Sequence, residues 1–275
     1  MDQYGLVGHP VSHSLSPFIH AMFARETGQN MIYRLYDVPA SDLDSHVRGF
    51  FEQGGYGLNV TVPHKIAAVE LAGALTERAA HAAAVNTLGR AGDGVIFGDN
   101  TDGAGLVRDL CDNLALGLAG ARILVLGAGG ATRGLLAPLL GLAPAVVVIA
   151  NRTPERAAAL AAAFADLGTT QASSFEEAGE EPFDLIINAT SASLSGDIPP
   201  IPQQAVGGHT VCYDLAYGRA ASAFVEWAEQ RGCALAVQGL GMLVEQAAES
   251  FEVWRGVRPE TSMVLEALKA RAARL

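Results

Sequence analysis

Short runs of aliphatic and β-branched residues alternate along the chain with longer Ala- and Leu-rich segments of helical period. That alternation predicts an α/β fold, with parallel strands covered by helices. Residues 4–7 form an apolar strand that stops at Gly8. Ser16-Pro17 then opens a helix, with Ser16 as its cap and Pro17 as its first residue. Phe18, Ile19, Met22 and Phe23 fall on one face of it. Residues 32–38 alternate as a strand does. Ser41 and Asp44 have the spacing of a capping box for a helix ending near Gly54-Gly55, with Asp in place of Glu or Gln. Residues 58–62 are extended until Pro63 stops them. Residues 85–88 and 95–98 predict a hairpin about Ala91-Gly92-Asp93-Gly94. If that hairpin is symmetric, Asn86 and segment 99–102 emerge at the same end.

From Arg122 the rhythm is more regular. Residues 123–126 are a fully apolar strand, Gly127-Ala128-Gly129-Gly130 a tight turn, and a helix runs on to about Leu140. Residues 146–150 are a second buried strand, and Thr153-Pro154 opens an alanine-rich helix. Further strands at 184–188 and 210–213 complete a βαβαβ arrangement of Rossmann type. From Leu240 the chain reads as two helices with no strand after them. There is no internal repeat.

Composition narrows the function. The 275 residues suffice for two domains, half of them are apolar and only 17% are charged, which argues against a disordered chain. A formal net charge of −11 disfavours nucleic acid as a partner, yet a few cations can still face a pocket for a small anion. Cys111, Cys212 and Cys233 are far apart and odd in number, so they read as buried hydrophobes, not as disulfides or zinc ligands. Residues 134–150, the longest uncharged stretch, contain two prolines and read as helix, turn and strand, not a membrane span. The N-terminus is unlike a signal peptide, so a cytoplasmic protein is expected. His9 and His13 are four apart but share a loop with Pro10, which prevents a metal-binding helical face. They read as local hydrogen-bonders, and no metal is expected.

The glycine turn sits where a dinucleotide pyrophosphate would need it, after a strand and before a helix whose N–H groups and dipole favour anions. The third fingerprint glycine would fall on Thr132, so helix–strand packing is expected to differ from the commonest form. The second strand ends in Asn151-Arg152-Thr153, with Arg156 beyond. No carboxylate stands there to repel a 2′-phosphate, and a guanidinium can grip one. NADP is favoured over NAD.

Polar residues gather at element ends in the first hundred positions: Ser14, Ser16, Asn59, Thr61 and Asn86. Each alone is an ordinary cap or turn former; together they have the makings of a site that hydrogen-bonds several hydroxyls and a carboxylate. With them, Ser14-Leu15-Ser16-Pro17, Asn59-Val60-Thr61-Val62-Pro63-His64-Lys65, Asn86-Thr87 and Gly98-Asp99-Asn100-Thr101-Asp102-Gly103 resemble the shikimate dehydrogenase family. So do Gly127 to Ala131, Asn151-Arg152-Thr153 and Gln238-Gly239-Leu240-Gly241-Met242. The resemblance runs from about residue 4 to residue 255, with the motifs in the family's order.

The resemblance implies an N-terminal α/β substrate domain of residues 1–102 plus 240–275, a Rossmann-type NADP domain of residues 103–239, and a cleft between them. It implies reduction of 3-dehydroshikimate to shikimate with NADPH, by a monomer or homodimer without a metal. Lys65 resembles the catalytic lysine and Asp102 its carboxylate partner. Ser14 and Ser16 resemble the pair holding the substrate carboxylate. Thr61, Asn86, Asp102 and Gln246 resemble the readers of ring hydroxyls, with Tyr217 closing the pocket and Asn59 at its edge. Gly127, Ala128, Gly129, Gly130, Ala131, Asn151, Arg152, Thr153, Arg156, Thr190, Leu215 and Gly239 resemble cofactor contacts. Met242 would lie beside the nicotinamide, with Glu77 near the cofactor.

The chemistry agrees with those roles. Hydride transfer to a ketone develops alkoxide charge, and a protonated lysine can supply the proton. Two positions depart from the family: Leu15 stands where lysine is common, and Ser193 where glycine is usual. One competing reading is a quinate dehydrogenase of the same fold, with NAD use possible. Another is a non-catalytic NADPH-binding sensor, against which the retention of both Lys65 and Asp102 argues.

Overall fold

The computed structural model describes residues 1–92, 94–179 and 181–272. Asp93, in the expected hairpin turn, lies outside the described residues. The chain divides into two compact units, one of Met1–Leu106 with Leu243–Arg271 and one built on Val107–Met242. These divisions fall a few residues past those expected from sequence, because both lie inside helices.

In the first unit the chain runs β1 (Asp2–Gly8), α1 (Ser16–Glu26), β2 (Met31–Asp37), α2 (Leu43–Glu52), β3 (Gly57–Val60), β4 (Ala74–Leu75), α3 (Glu77–Ala82), β5 (Thr87–Arg90), β6 (Ile96–Asp99) and α4 (Asp102–Arg108). Its six-stranded sheet has the order β2-β1-β3-β5-β6-β4. β1 pairs parallel with β2 and β3, whereas β5 pairs antiparallel with β3 and β6. The hairpin is symmetric as expected: Thr87 faces Asp99, and Asn86 N–H donates to Asp99 O at 3.0 Å. Apolar residues of β1, α2, β3 and β5, among them Val7, Val47, Phe51, Leu58 and Leu88, close one core of this unit.

Two expected caps do not form. Ser16 is the first residue of α1, not its cap; Leu15 holds that place, and Ser14 Oγ accepts from Ser16 N–H at 3.2 Å. The Ser41–Asp44 capping box is absent as well. Asp42 is the residue before α2, Ser41 Oγ donates to Asp42, and Asp44 instead pairs with Arg48 one turn on. An i, i+4 ion pair satisfies the carboxylate that the box would have used.

On α1, Ile19 and Phe23 are buried as expected, and so is His20. Its ring stacks on Tyr33 with centroids 4.1 Å apart, and among the described residues neither ring nitrogen has a partner in hydrogen-bond geometry. Burial drives its pKa down to about 3 from 6.5. The unfolded chain therefore binds a proton below pH 6.5 that the folded one refuses, and stability falls as pH drops through that window. Urea unfolding at pH 7 and pH 5 is expected to show His20→Phe losing less stability over that interval than the parent. Equal losses would show that another group sets the slope.

The second unit runs β7 (Arg122–Leu126), α5 (Gly130–Leu140), β8 (Val146–Ala150), α6 (Pro154–Ala163), β9 (Thr170–Ser173), β10 (Leu185–Asn188), α7 (Ala192–Ser195), β11 (Val211–Asp214), α8 (Arg219–Gln230) and β12 (Leu235–Gln238). All its pairings are parallel, in the order β12-β11-β10-β7-β8-β9. This is the doubly wound Rossmann order, with its switch point between β7 and β10. The central strands are continuous apolar runs because helices cover both faces. Cys212 and Cys233, distant in sequence, meet in this unit's core and are free thiols. After β12 come α9 (Leu240–Arg255) and α10 (Ser262–Ala272). No helix among the described residues is long and apolar enough to cross a membrane.

Candidate active site

Lys65 follows β3 on a turn that backbone bonds hold tightly. His64 N–H donates to Thr61 O at 2.9 Å, and the buried His64 ring lies 2.7 Å from Val38 O. Lys65 O accepts from Val85 N–H at 2.8 Å, which sets it beside the end of the hairpin. Its Nζ donates to Asp102 Oδ2 at 2.6 Å, with only 15% and 5% of the two side chains exposed. The other carboxylate oxygen, Oδ1, accepts from Asn86 Nδ2 at 2.8 Å. An ion pair this sheltered is held by such secondary hydrogen bonds, since desolvation offsets much of its Coulombic gain. Among the described residues, Lys65 Nζ has no other hydrogen-bond partner, which leaves two N–H donors for a ligand oxygen.

Asp102 starts α4, and the segment before it is anchored from the side. Asp99 Oδ1 accepts from Thr76 Oγ1 and Arg78 Nε at 2.6 Å and from Asn100 N–H at 2.7 Å, while Oδ2 takes Arg78 Nη2 at 2.6 Å. Burial alone would raise the Asp99 pKa. The hydrogen bonds and charge of Arg78, with help from Thr76 and Asn100, hold it below the ordinary value. Asn100 then ties the segment to the hairpin through Ala84 O at 2.9 Å and accepts from Asp102 N–H at 3.2 Å. Gly105, one turn into α4, packs so closely on α9 that a Cβ there would lie 2.5 Å from Gln246 N. That contact puts Gln246 Oε1 3.5 Å from Asn86 Nδ2.

Ser14 and Ser16 are brought together, with Ser14 Oγ donating to Ser16 Oγ at 3.1 Å. Tyr33, beside Ser16, donates to Asn59 Oδ1 at 2.7 Å. Its own pKa is raised well above the usual tyrosine value by burial, against a smaller lowering from Ser16. Thr61 follows β3, half-buried, its N–H on Val7 O at 2.9 Å. Asn59 is 5% exposed and both ends of its amide are engaged within the protein. Tyr217 and Leu215 lie half-buried after β11 in the second unit, and Glu77 is exposed in the first turn of α3 in the first unit.

The glycine turn of the second unit lies at the C-terminal edge of its sheet, where ligands of open α/β sheets bind. Gly127 has φ +102°, and a Cβ there would meet Ala189 O at 3.1 Å, so only glycine fits. Above Gly129 nothing approaches within 4 Å of a built Cβ, and no side chain caps α5. Thr132 explains its departure from the fingerprint: fully buried, its hydroxyl donates to Gly127 O at 2.8 Å and fastens the turn to the helix. Ala128, Gly130 and Ala131 complete an open N-terminal turn whose N–H groups suit a pyrophosphate. Asn151 Nδ2 donates to Thr153 O at 3.0 Å. Arg152 and Arg156 are exposed, and among the described residues neither has a carboxylate partner. This donor set fits a nicotinamide dinucleotide carrying a 2′-phosphate.

The remaining cofactor candidates line the same strand ends. Thr190 hydroxyl donates to Asn188 Oδ1 at 2.7 Å, Leu215 N–H to Asn188 O at 3.0 Å, and Gly239 N–H to Ala216 O at 2.9 Å. Ser193, the other departure, is 1% exposed and bridges Asn188 and Asp214 at 2.8 and 2.6 Å. Burial raises the Asp214 pKa, against the hydrogen bonds of Ser193, Ala216 and Asn188. Met242 N–H donates to Tyr213 Oη at 3.2 Å, and Tyr213 to Asp109 Oδ2 at 2.5 Å. Leu15, half-buried, precedes α1. His9 is not a local hydrogen-bonder: its ring reaches Asp37, 28 residues on, at 2.5 Å. Among the described residues no group of three or more His, Cys, Asp or Glu is placed to hold a metal.

Several supporting residues escaped the sequence reading, Tyr33, Arg78 and Ser250 altogether, while Thr87 and Thr101 stood in its motifs without a role. Arg78 had a signal, an arginine two residues past the Thr76 cap in a segment poor in cations. Ser250 had a fainter one, a small polar residue four after Gln246 on an otherwise apolar helix face.

A glycine-turn Rossmann unit in a chain that also carries a sheltered lysine–carboxylate pair defines a nicotinamide-dependent dehydrogenase. Residues 6–88 match the shikimate dehydrogenase substrate binding domain, residues 109–197 match shikimate / quinate 5-dehydrogenase, and residues 239–269 match the shikimate 5′-dehydrogenase C-terminal domain. The chain is 54% identical over 269 residues to a shikimate dehydrogenase (NADP⁺) of Methylococcus capsulatus, covering 98% of this chain and 96% of that one. A crystal structure of an Ael1 enzyme from Pseudomonas putida superposes with a TM-score of 0.90 at 43% identity, covering 98% of both chains. The Thermus thermophilus shikimate 5-dehydrogenase, solved with NADP(H) and shikimate, gives a TM-score of 0.85 at 34% identity, over 99% of this chain and 100% of that one. The chain belongs to the shikimate dehydrogenase family.

Proposed function

We propose that this chain is an NADP-dependent shikimate dehydrogenase, reducing 3-dehydroshikimate to shikimate in aromatic amino-acid biosynthesis. The observation that carries the reading is the sheltered Lys65–Asp102 contact of 2.6 Å, with Asn86 on the other carboxylate oxygen, in a chain of this family. NADPH supplies the hydride when bound. Lys65 donates a proton to the substrate oxygen as alkoxide charge develops there, and Asp102 keeps the ammonium aimed. In the reverse direction the same pair takes the proton back. Ser14 and Ser16 donate to the substrate carboxylate, and Thr61, Asn86, Asp102 and Gln246 read the ring hydroxyls, with Asn59 supporting them and Tyr217 assigned to the substrate as in the family. Except for Tyr217 and Glu77, the first unit carries the substrate roles and the second the cofactor roles, Gly127 to Ala131 cradling the pyrophosphate and Arg152 and Arg156 the 2′-phosphate. Glu77, Thr190, Leu215, Gly239 and Met242 are assigned to the cofactor as in the family. The cytoplasm, and a monomer or homodimer working without a metal, complete the assignment.

Steady-state rates on shikimate and quinate, each with NADP and NAD, test the reading. The shikimate–NADP pairing is expected to have the highest kcat/KM, and a quinate or NAD pairing that matched it would favour the runner-up. The arginines make a sharper case. Each loses a charge-assisted contact to phosphate when truncated, so Arg152→Ala is expected to raise KM for NADP about tenfold while KM for NAD stays put. A parallel rise for both cofactors would remove Arg152 from the 2′-phosphate.

A further inference from the structure

Behind Asn86 lies a group of buried hydroxyls that the proposed chemistry does not use. Thr87, Thr101 and Ser250 are each 0% exposed, and they come from β5, the segment before α4 and the middle of α9. Their oxygens meet around the Asn86 amide. Asn86 Nδ2 donates to Thr101 Oγ1 at 2.8 Å, Thr101 Oγ1 lies 3.1 Å from Ser250 Oγ, Ser250 Oγ lies 2.8 Å from Thr87 Oγ1, and Thr87 Oγ1 donates to Asn86 Oδ1 at 2.8 Å.

Counting protons gives the ring a direction. Each hydroxyl has one hydrogen and two acceptor sites. Asn86 Oδ1 already takes Thr101 N–H at 2.8 Å besides Thr87, so the Thr101 proton is free for Ser250, its other acceptor being the longer 3.2 Å contact to Asn86 Oδ1. Ser250 in turn donates to Thr87 at 2.8 Å in preference to Gln246 O at 3.1 Å. Asn59 Nδ2 approaches Ser250 and Thr87 from outside at 2.9 and 3.1 Å and fills their remaining acceptor sites. The bonds then run in one sense, from Asn86 through Thr101, Ser250 and Thr87 back to Asn86. Such a ring is self-reinforcing in a dry interior, and with Thr101 N–H fixed on Asn86 Oδ1 it holds the Asn86 amide in one orientation. That orientation points the second Nδ2 hydrogen at Asp102 Oδ1.

We propose that Ser250 and Thr87 are positioning residues for the reaction: they lock the Asn86 amide, and through it aim Asp102 and Lys65, without touching substrate. The proposal rests on the site assigned above. Its test is kinetics per folded molecule on Thr87→Val, Thr87→Ser, Ser250→Ala and the Thr87→Val/Ser250→Ala double variant, with NADP affinity followed by fluorescence. Thr87→Val keeps the side-chain shape and removes the hydroxyl. It and Ser250→Ala are each expected to lower kcat with shikimate about tenfold and leave NADP affinity unchanged. The double variant is expected to lose no more than either single one, since one break opens the ring, and Thr87→Ser to recover most of the loss. A packing role alone would lower melting temperature and spare turnover. Rates within about twofold of the parent, or losses that multiply in the double variant, would overturn the proposal. If Ser250→Ala does not fold, the Thr87 pair decides alone. Lys65→Ala separates the two claims: silence there with normal ring variants sinks only the ring, whereas activity there sinks the site.

Discussion

Lys65→Ala is expected to lower kcat about a thousandfold and to leave the melting temperature and NADPH binding close to those of the parent. The reason is where the side chain stands. Lys65 Nζ has one partner among the described residues, Asp102 at 2.6 Å, and its stem is mostly sheltered. Truncation removes the proton donor at the developing alkoxide. It leaves Asp102 with Asn86 Nδ2 at 2.8 Å, so the carboxylate is not stranded. Charge alone does not suffice: Lys65→Arg keeps the charge but places a planar fork where a point charge belongs, and it is expected to restore little. A Lys65→Ala enzyme that turned over near the parent rate would remove Lys65 from the chemistry.

Asp99→Asn is expected to act on stability with comparable force. The Asp99 carboxylate is 3% exposed and takes four donors, two of them from Arg78. Replacing one oxygen by an NH₂ turns a donor toward the guanidinium and breaks a buried pair, a loss of about 3 kcal/mol. Arg78 keeps Glu249 at 2.9 Å, which limits the damage. For a chain of this size a fall in melting temperature of about 5 °C follows. The pH dependence has a definite sign. Because the folded pKa of Asp99 lies below its value of 3.8 in the free state, its stabilising contribution is complete above that value and is lost as pH falls through the lower folded value. The gap between parent and variant is therefore expected to be widest near neutrality and to close in acid. A gap that does not change with pH would mean that the carboxylate acts by shape alone.

The site was legible in the chain to the extent that it is built at element ends. The apolar runs located β1, β3, β7, β8 and β10, and symmetry of the hairpin alone brought Asn86 beside segment 99–102. The strands that were not foreseen are edge or very short ones. β9, Thr170–Ser173, is polar and sits at the sheet's end, and β4 has only two residues, so neither offers a hydrophobic period to read. Caps failed as forecasts because the groups went elsewhere: Arg48 took Asp44, and Ser16 lies inside the helix with its own N–H on Ser14 Oγ. The support behind the site was hidden for a different reason. Ser250 meets Asn59 only because a helix 191 residues later packs on β3, and no local pattern encodes that meeting. Asn59 shows the same limit, its place in the motif being plain while its burial is a matter of tertiary structure.

The most direct test of the account is 3-dehydroshikimate-dependent oxidation of NADPH by the purified chain, followed at the nicotinamide absorbance band. Rapid loss of that absorbance with 3-dehydroshikimate, and its regain when shikimate and NADP are supplied, is the expected result. A folded protein that binds NADPH and leaves it untouched by this substrate would contradict the account and leave a nucleotide-binding protein without the reaction.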